Sequence, residues 1–164
     1  MNKAILKSIS ILAFAFSTST FADDGKIFPG AECQRHSGST SYNHSSGIIR
    51  NLSSTQSLTV VCPITREYLS KSINDGWIKV VDFHPSQNFT CSVKSKHRSN
   101  AGGWTNYWSG NRYSAGFGTQ TQTLNFGGMG QVSGHSHYYL TCSIPASHSN
   151  GSSYILSYRV DENN

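Results

Sequence analysis

Apolar and polar residues alternate along this chain in short runs. Leu58, Val60 and Cys62 point one way, as do Phe89, Cys91 and Val93, then Tyr138, Leu140, Cys142 and Ile144, and finally Tyr154, Leu156, Tyr158 and Val160. Between them fall Thr59, Thr90, Ser92, Lys94, Tyr139, Thr141, Ser157 and Arg159, which are mostly polar. Successive side chains of a strand project to opposite faces, so the pattern is that of antiparallel strands with one wet face. Strands are predicted over residues 57–62, 76–83, 88–95, 119–126, 137–144 and 153–161, with weaker ones at 47–51 and near 104–108; Gly, Ser, Asn and Pro stand between them. Residues 65–73 alone carry a helical signal, with Thr65 as a cap and Tyr68, Leu69 and Ile73 at helical spacing, enough for one or two turns. The polar stretches 37–46 and 95–103 read as mobile loops. Six to nine strands predict an all-β fold, a disulfide-bridged antiparallel β-sandwich of jelly-roll or Greek-key type, with an up-and-down barrel as the second choice.

The N-terminus changes the picture of where this sandwich works. Lys3 and Lys7 precede an apolar stretch from Ile9 to Phe16, and Thr20-Phe21-Ala22 forms a small-x-small site ahead of Asp23-Asp24. Residues 1–22 therefore read as a signal peptide and 23–164 as a single β-sandwich domain. The apolar stretch is far short of the roughly 20 residues that span a bilayer, and no transmembrane anchor is expected. The expected location is secreted or periplasmic. Removing Lys3 and Lys7 lowers the basic residues from 13 to 11 against 8 acids. So small an excess does not call for nucleic acid.

Cys33, Cys62, Cys91 and Cys142 all follow the signal and include no Cys-x-x-Cys pair, which leaves zinc-ribbon and thioredoxin-like readings without a basis. Structural disulfides in an oxidising compartment are expected. Three pairings are open; Cys33–Cys62 with Cys91–Cys142 is favoured, because those segments can lie side by side without crossing.

The order Val61-Cys62-Pro63-Ile64, Val80-Val81-Asp82, Thr90-Cys91-Ser92-Val93, Tyr138 to Pro145 and Ser157-Tyr158-Arg159-Val160-Asp161 resembles a group of small exported proteobacterial proteins of undescribed function. The resemblance implies a signal peptide, four bridging cysteines and an all-β domain. It brings no catalytic residue.

Candidate chemistry is sparse, and no cofactor is expected. Gly134-His135-Ser136-His137-Tyr138 approaches a nucleophile elbow but has Tyr where the second Gly belongs, and it precedes a strand instead of following one. Gly127-Gly128-Met129-Gly130 lacks the Lys-Ser/Thr and the helix of a phosphate loop, so it reads as a hairpin. Asp82 is the most interesting acid; its plainer role is bonding a turn around His84-Pro85. His135 and His137 would share one face of a strand and are the weak metal candidates, with His84, His44 or His148 needed to complete a site. Together with Asp82 and His84 they define the alternative function, a small secreted metal-dependent hydrolase. The aromatic stretch is more informative. Trp104, Tyr107, Trp108, Tyr113 and Phe117 lie among Gly, Asn and Ser and follow Lys94, Lys96, His97 and Arg98. In the core they would simply be packing; exposed, they would stack on the apolar faces of sugars. The preferred reading is a non-enzymatic binding or structural protein of the envelope or extracellular space. Its expected partner is a glycan or another protein, met through Trp104, Tyr107, Trp108 and Tyr113.

Overall fold

Runs of β-branched and aromatic residues with period two become two antiparallel sheets stacked on their apolar faces. The computed structural model describes residues 25–66, 72–99, 101–129 and 136–162. Its strands are β1 (Lys26–Pro29), β2 (Gln34–Gly38), β3 (Tyr42–Ser45), β4 (Ile48–Asn51), β5 (Leu58–Ile64), β6 (Ile73–Val81), β7 (Thr90–Arg98), β8 (Trp104–Trp108), β9 (Arg112–Tyr113), β10 (Thr121–Phe126), β11 (His137–Ile144) and β12 (Tyr154–Glu162), with a 3₁₀ turn at Gly30–Glu32. One sheet runs β10-β6-β12-β4-β3, with β1 also on β12; the other runs β2-β5-β11-β7-β8, with β9 also on β7. Among the described strands, only β3–β4 and β7–β8–β9 are successive strands of one sheet; the others alternate between the sheets, the wound course of a jelly roll. Ser46 and Gly47 turn β3 into β4 with φ of 52° and 79°, the left-handed pair that a two-residue type I′ hairpin requires.

The core is the seam between the sheets. Ile49, Ile78, Val80, Ile155 and Tyr158 from the β12 sheet meet Leu58, Val60, Val93, Leu140 and Ile144 from the β11 sheet, and Phe89 joins them just before β7. All of these are almost wholly buried. Polar ties also cross the seam. Asn51 at the end of β4 donates through Nδ2 to the carbonyls of Ile144 (3.3 Å) and Pro145 (2.9 Å), and the Tyr158 hydroxyl donates to the Pro63 carbonyl at 2.7 Å.

The expected strands are present, and four more join them: β1, β2, β3 and β9. The supposed loop at 37–46 contains the end of β2 and all of β3, and β7 runs on to Arg98 through the start of the supposed loop at 95–103. Polar composition misled there because these segments are short or outward-facing, so apolar alternation had little to mark. The expected helix at 65–73 lies mostly outside the described residues, but Ile73 belongs to β6, opposite Glu162 of β12. The faces of β12 also need correction. Ile155, Tyr158 and Val160 are buried while Tyr154 and Leu156 are only half-buried, because a register shift between Ile155 and Ser157 inserts a residue and reverses the alternation.

Both favoured disulfides form, Cys33–Cys62 and Cys91–Cys142. Cys91 and Cys142 are directly opposed on β7 and β11, and Cys33 leads into β2 beside β5. Each bond ties neighbours of one sheet on its inner face, where all four cysteines are buried. Bonded cysteines agree with an oxidising compartment. Among the described residues no helix is long and apolar enough to cross a membrane.

Two outcomes follow from this packing. Replacing Cys91 and Cys142 together by Ser opens a link across 51 residues. Stability measured by urea unfolding should fall by about 4 kcal/mol at most, the chain-entropy value for that loop. Burial, helped by nearby Glu32, pushes the Tyr158 phenol well above its ordinary value of 10. The folded state therefore holds this proton more tightly than the unfolded chain does, and stability complete below pH 10 should decline as pH rises beyond it. Tyr158→Phe should cost about 1 kcal/mol at neutral pH through the lost hydrogen bond and flatten that alkaline decline.

Candidate functional site: the outer face of the β11 sheet

Since one face of each strand is committed to the core, the other face of the β11 sheet is open, and the registers define its rows. On β7, Lys94, Lys96 and Arg98 lie opposite Trp108, Asn106 and Trp104 of β8, while Thr90 lies opposite Tyr113 of β9. On the other side of β7, Lys96 faces His137 and Lys94 faces Tyr139 of β11; Tyr139 in turn faces Pro63 of β5. Directly opposed residues in an antiparallel pair share a face. Trp104, Trp108 and Tyr113 therefore share one side of the sheet. They are 56%, 59% and 57% exposed. The two tryptophans are four residues apart, about 13 Å at the rise of a strand.

Tyr107 is placed differently. It is opposite Ser95, whose side chain is buried on the inner side, so it belongs to the side of the sheet away from the two tryptophans, where it is still 47% exposed. Phe117 is exposed in the loop between β9 and β10. Within the nominated set, then, Trp104, Trp108 and Tyr113 are brought together and Tyr107 is not.

The face continues from the aromatic row into an open groove of about 640 Å³, lined by Gln34, His36, Pro63, Lys96, His137 and Tyr139 among others. The His137 and Tyr139 rings stack at 5.9 Å. At the aromatic row, Lys96 Nζ lies 4.5 Å from the centre of the Trp104 ring and the Arg98 guanidinium 5.8 Å from it. Those cation–π contacts fix the Trp104 ring and hold the cations at the surface. The groove residues on β2 and β5 escaped the sequence reading because β2 carries almost no apolar alternation. Tyr139 and Lys94 were legible as the wet face of their strands, but only strand order showed that they are neighbours.

The residues of the hydrolase reading go elsewhere. Asp82 is fully buried at the end of β6. Its carboxylate accepts from the Ser114 hydroxyl at 2.6 Å, the Ser153 hydroxyl at 3.3 Å, the His84 amide at 3.0 Å and the Phe89 amide at 3.4 Å. It closes the turn around His84-Pro85. His84 Nδ1 accepts from the Ser86 and Gln87 amides, and its ring meets His148 edge-on at 5.6 Å. His44 bonds the Cys33 carbonyl at 3.0 Å, and His137 stands on the outer face described above. His135 lies outside the described residues. Among the described residues no group of three or more His, Cys, Asp or Glu is placed to hold a metal ion.

No family model and no curated protein sequence matches this chain. Among solved structures it is similar to the low-affinity xylan-binding module CBM86 of Roseburia intestinalis, with a TM-score of 0.46 and 13% identity over 85% of this chain and 96% of that one. It is also similar to a β-(1,4)-mannanase with a CBM35 part from Podospora anserina, with a TM-score of 0.45 and 10% identity over 87% of this chain and 28% of that one. A third is the CBM36-1 domain of a multidomain xylanase from the hindgut metagenome of Trinervitermes trinervoides, with a TM-score of 0.42 and 8% identity over 86% and 98%. At these identities the neighbours assign no residue here a role.

The Asp82 geometry has a direct consequence. Asp82→Ala would strand the Ser114 and Ser153 hydroxyls and the His84 amide without this acceptor, while the Phe89 amide keeps the Ser114 hydroxyl at 2.9 Å, and should lower stability by about 3 kcal/mol in urea unfolding. Asp82→Asn keeps an acceptor oxygen and should cost clearly less.

Proposed function

We propose that this chain is an exported, non-enzymatic glycan-binding protein of the envelope or extracellular space, and that its binding surface is the outer face of the β11 sheet. The observation that carries the reading is the row of Trp104, Trp108 and Tyr113, each more than half exposed on one side of a sheet whose central strands β5, β11 and β7 bury their other side in the core. Large rings left in water on one face mark a place where something is bound. A sugar ring has an apolar face of C–H groups that lies flat on an indole, and its edge carries hydroxyls that need polar partners. Asn106 stands between the tryptophans, and Gln34, His137 and Tyr139 line the groove beside them. Rings and hydroxyl-bonding groups are thus interleaved on a rigid support, as a flat saccharide needs. Export is supported by the signal pattern of residues 1–22 and by the cysteine pairing, which suits an oxidising compartment.

The test is affinity electrophoresis through gels containing soluble xylan, mannan or pectin, followed by titration of tryptophan fluorescence with the polymer that retards the protein. The Trp104→Ala/Trp108→Ala double variant should bind at least about tenfold more weakly, since each lost stacking contact is worth roughly 1–3 kcal/mol. Its melting temperature should stay within about 2 °C of the parent, because surface changes alter stability little. Unchanged affinity in that variant would remove this face from consideration, and retardation by no polysaccharide would remove the glycan.

A further inference from the structure

The charge on this face points to the class of glycan, an inference that rests on the reading above. Along the outer side of β7 the side chains of Lys94, Lys96 and Arg98 form a ladder repeating about every 7 Å, the two-residue step of a strand. His137 of β11 stands opposite Lys96 and lines the groove beside the ladder. None of the strands of the β11 sheet contains an Asp or Glu. The described carboxylates lie elsewhere: Asp75, Asp161 and Glu162 on β6 and β12, Glu32 in the 3₁₀ turn before β2, and Asp82 buried in its turn. Two of them have basic neighbours of their own, Arg159 beside Asp161 at 3.7 Å and Arg66 beside Glu162 at 3.5 Å. Among the described residues, Lys94, Lys96 and Arg98 have no carboxylate partner. For Lys96 and Arg98 the Trp104 ring fills that place. Three like charges held in one row repel one another and are relieved by an anion.

We infer that the ligand is an acidic polysaccharide, bearing negative groups on successive sugar rings. The rings stack on Trp104 and Trp108 while their anionic groups are met by Lys94, Lys96 and Arg98. A single small anion would meet only one or two rungs of the ladder and no ring. A neutral glycan would leave the cations as they are in the free protein.

Polygalacturonate and its fully methyl-esterified form offer the same sugar rings with and without charge, and are compared by isothermal titration alongside phosphatidylglycerol vesicles. The acidic polymer should bind about tenfold or more tightly than the ester, the worth of one charge-assisted contact, and raising salt should weaken only the acidic polymer. Lys94→Gln/Lys96→Gln should remove most of that preference, weakening the acidic polymer more than the ester. Equal affinity for the two polymers, or a preference untouched by that variant, would overturn the acidic ligand while the glycan face stands. Binding of both polymers that ignores Trp104→Ala/Trp108→Ala would overturn the face itself, and this inference with it. Binding to the vesicles with neither polymer bound would overturn it in favour of a membrane surface.

Discussion

The structure depends on burial of one face of each sheet against the other. Every second residue of β5 and β11, and most of the apolar residues of β6 and β7, are committed to the seam, and the apolar area removed from water there, about 25 cal/mol for each Å², is the main driving force for folding. The same constraint sets where polar groups can go. Asn51 and the Tyr158 hydroxyl are admitted to the seam because each reaches a carbonyl of the opposite sheet. Unbonded, each would destabilise the seam it now ties. The disulfides lie on the inner face and hold strand pairs in register, which a slip of one residue would turn inside out.

That commitment of one face frees the other. Side chains on the outer face of the β11 sheet have no packing duty, so their identities record interactions with the surroundings. Trp104 and Trp108 stand on β8 at the sheet's edge, where an apolar strand invites pairing with another chain. Lys96 and Arg98, laid against the Trp104 ring, place charge beside that edge and so oppose such pairing. The aromatic row and the cationic ladder can therefore coexist on a stable protein, each moderating what the other would do alone.

Asp82 shows the opposite use of a charged residue. An acid at the end of a strand beside a histidine invites a catalytic reading, yet its four hydrogen bonds go to groups that shape the connection from β6 to β7 and anchor Ser114 and Ser153. Burial here serves architecture: the carboxylate gathers donors from three separate stretches of chain that no strand ladder would satisfy.

What the sequence determined by itself was everything that period-two alternation can encode: the principal strands, the buried side of β5, β7 and β11, and the sandwich; it favoured one cysteine pairing of three, and the structure decided it. The sequence could also mark Trp104, Tyr107, Trp108 and Tyr113 as unusual, but only the strand register set Tyr107 apart from the other three. It could not reveal β2 or β3, whose outward-facing polar residues carry little alternation, nor the shift between Ile155 and Ser157, since an inserted residue reverses the faces of β12 without any mark in composition. The tertiary structure alone decided which wet faces adjoin. Lys96 meets His137 on one side and Asn106 on the other because β7 lies between β11 and β8. Strand order is set by long-range pairing, which depends on the fit of whole faces and leaves no local trace in the chain.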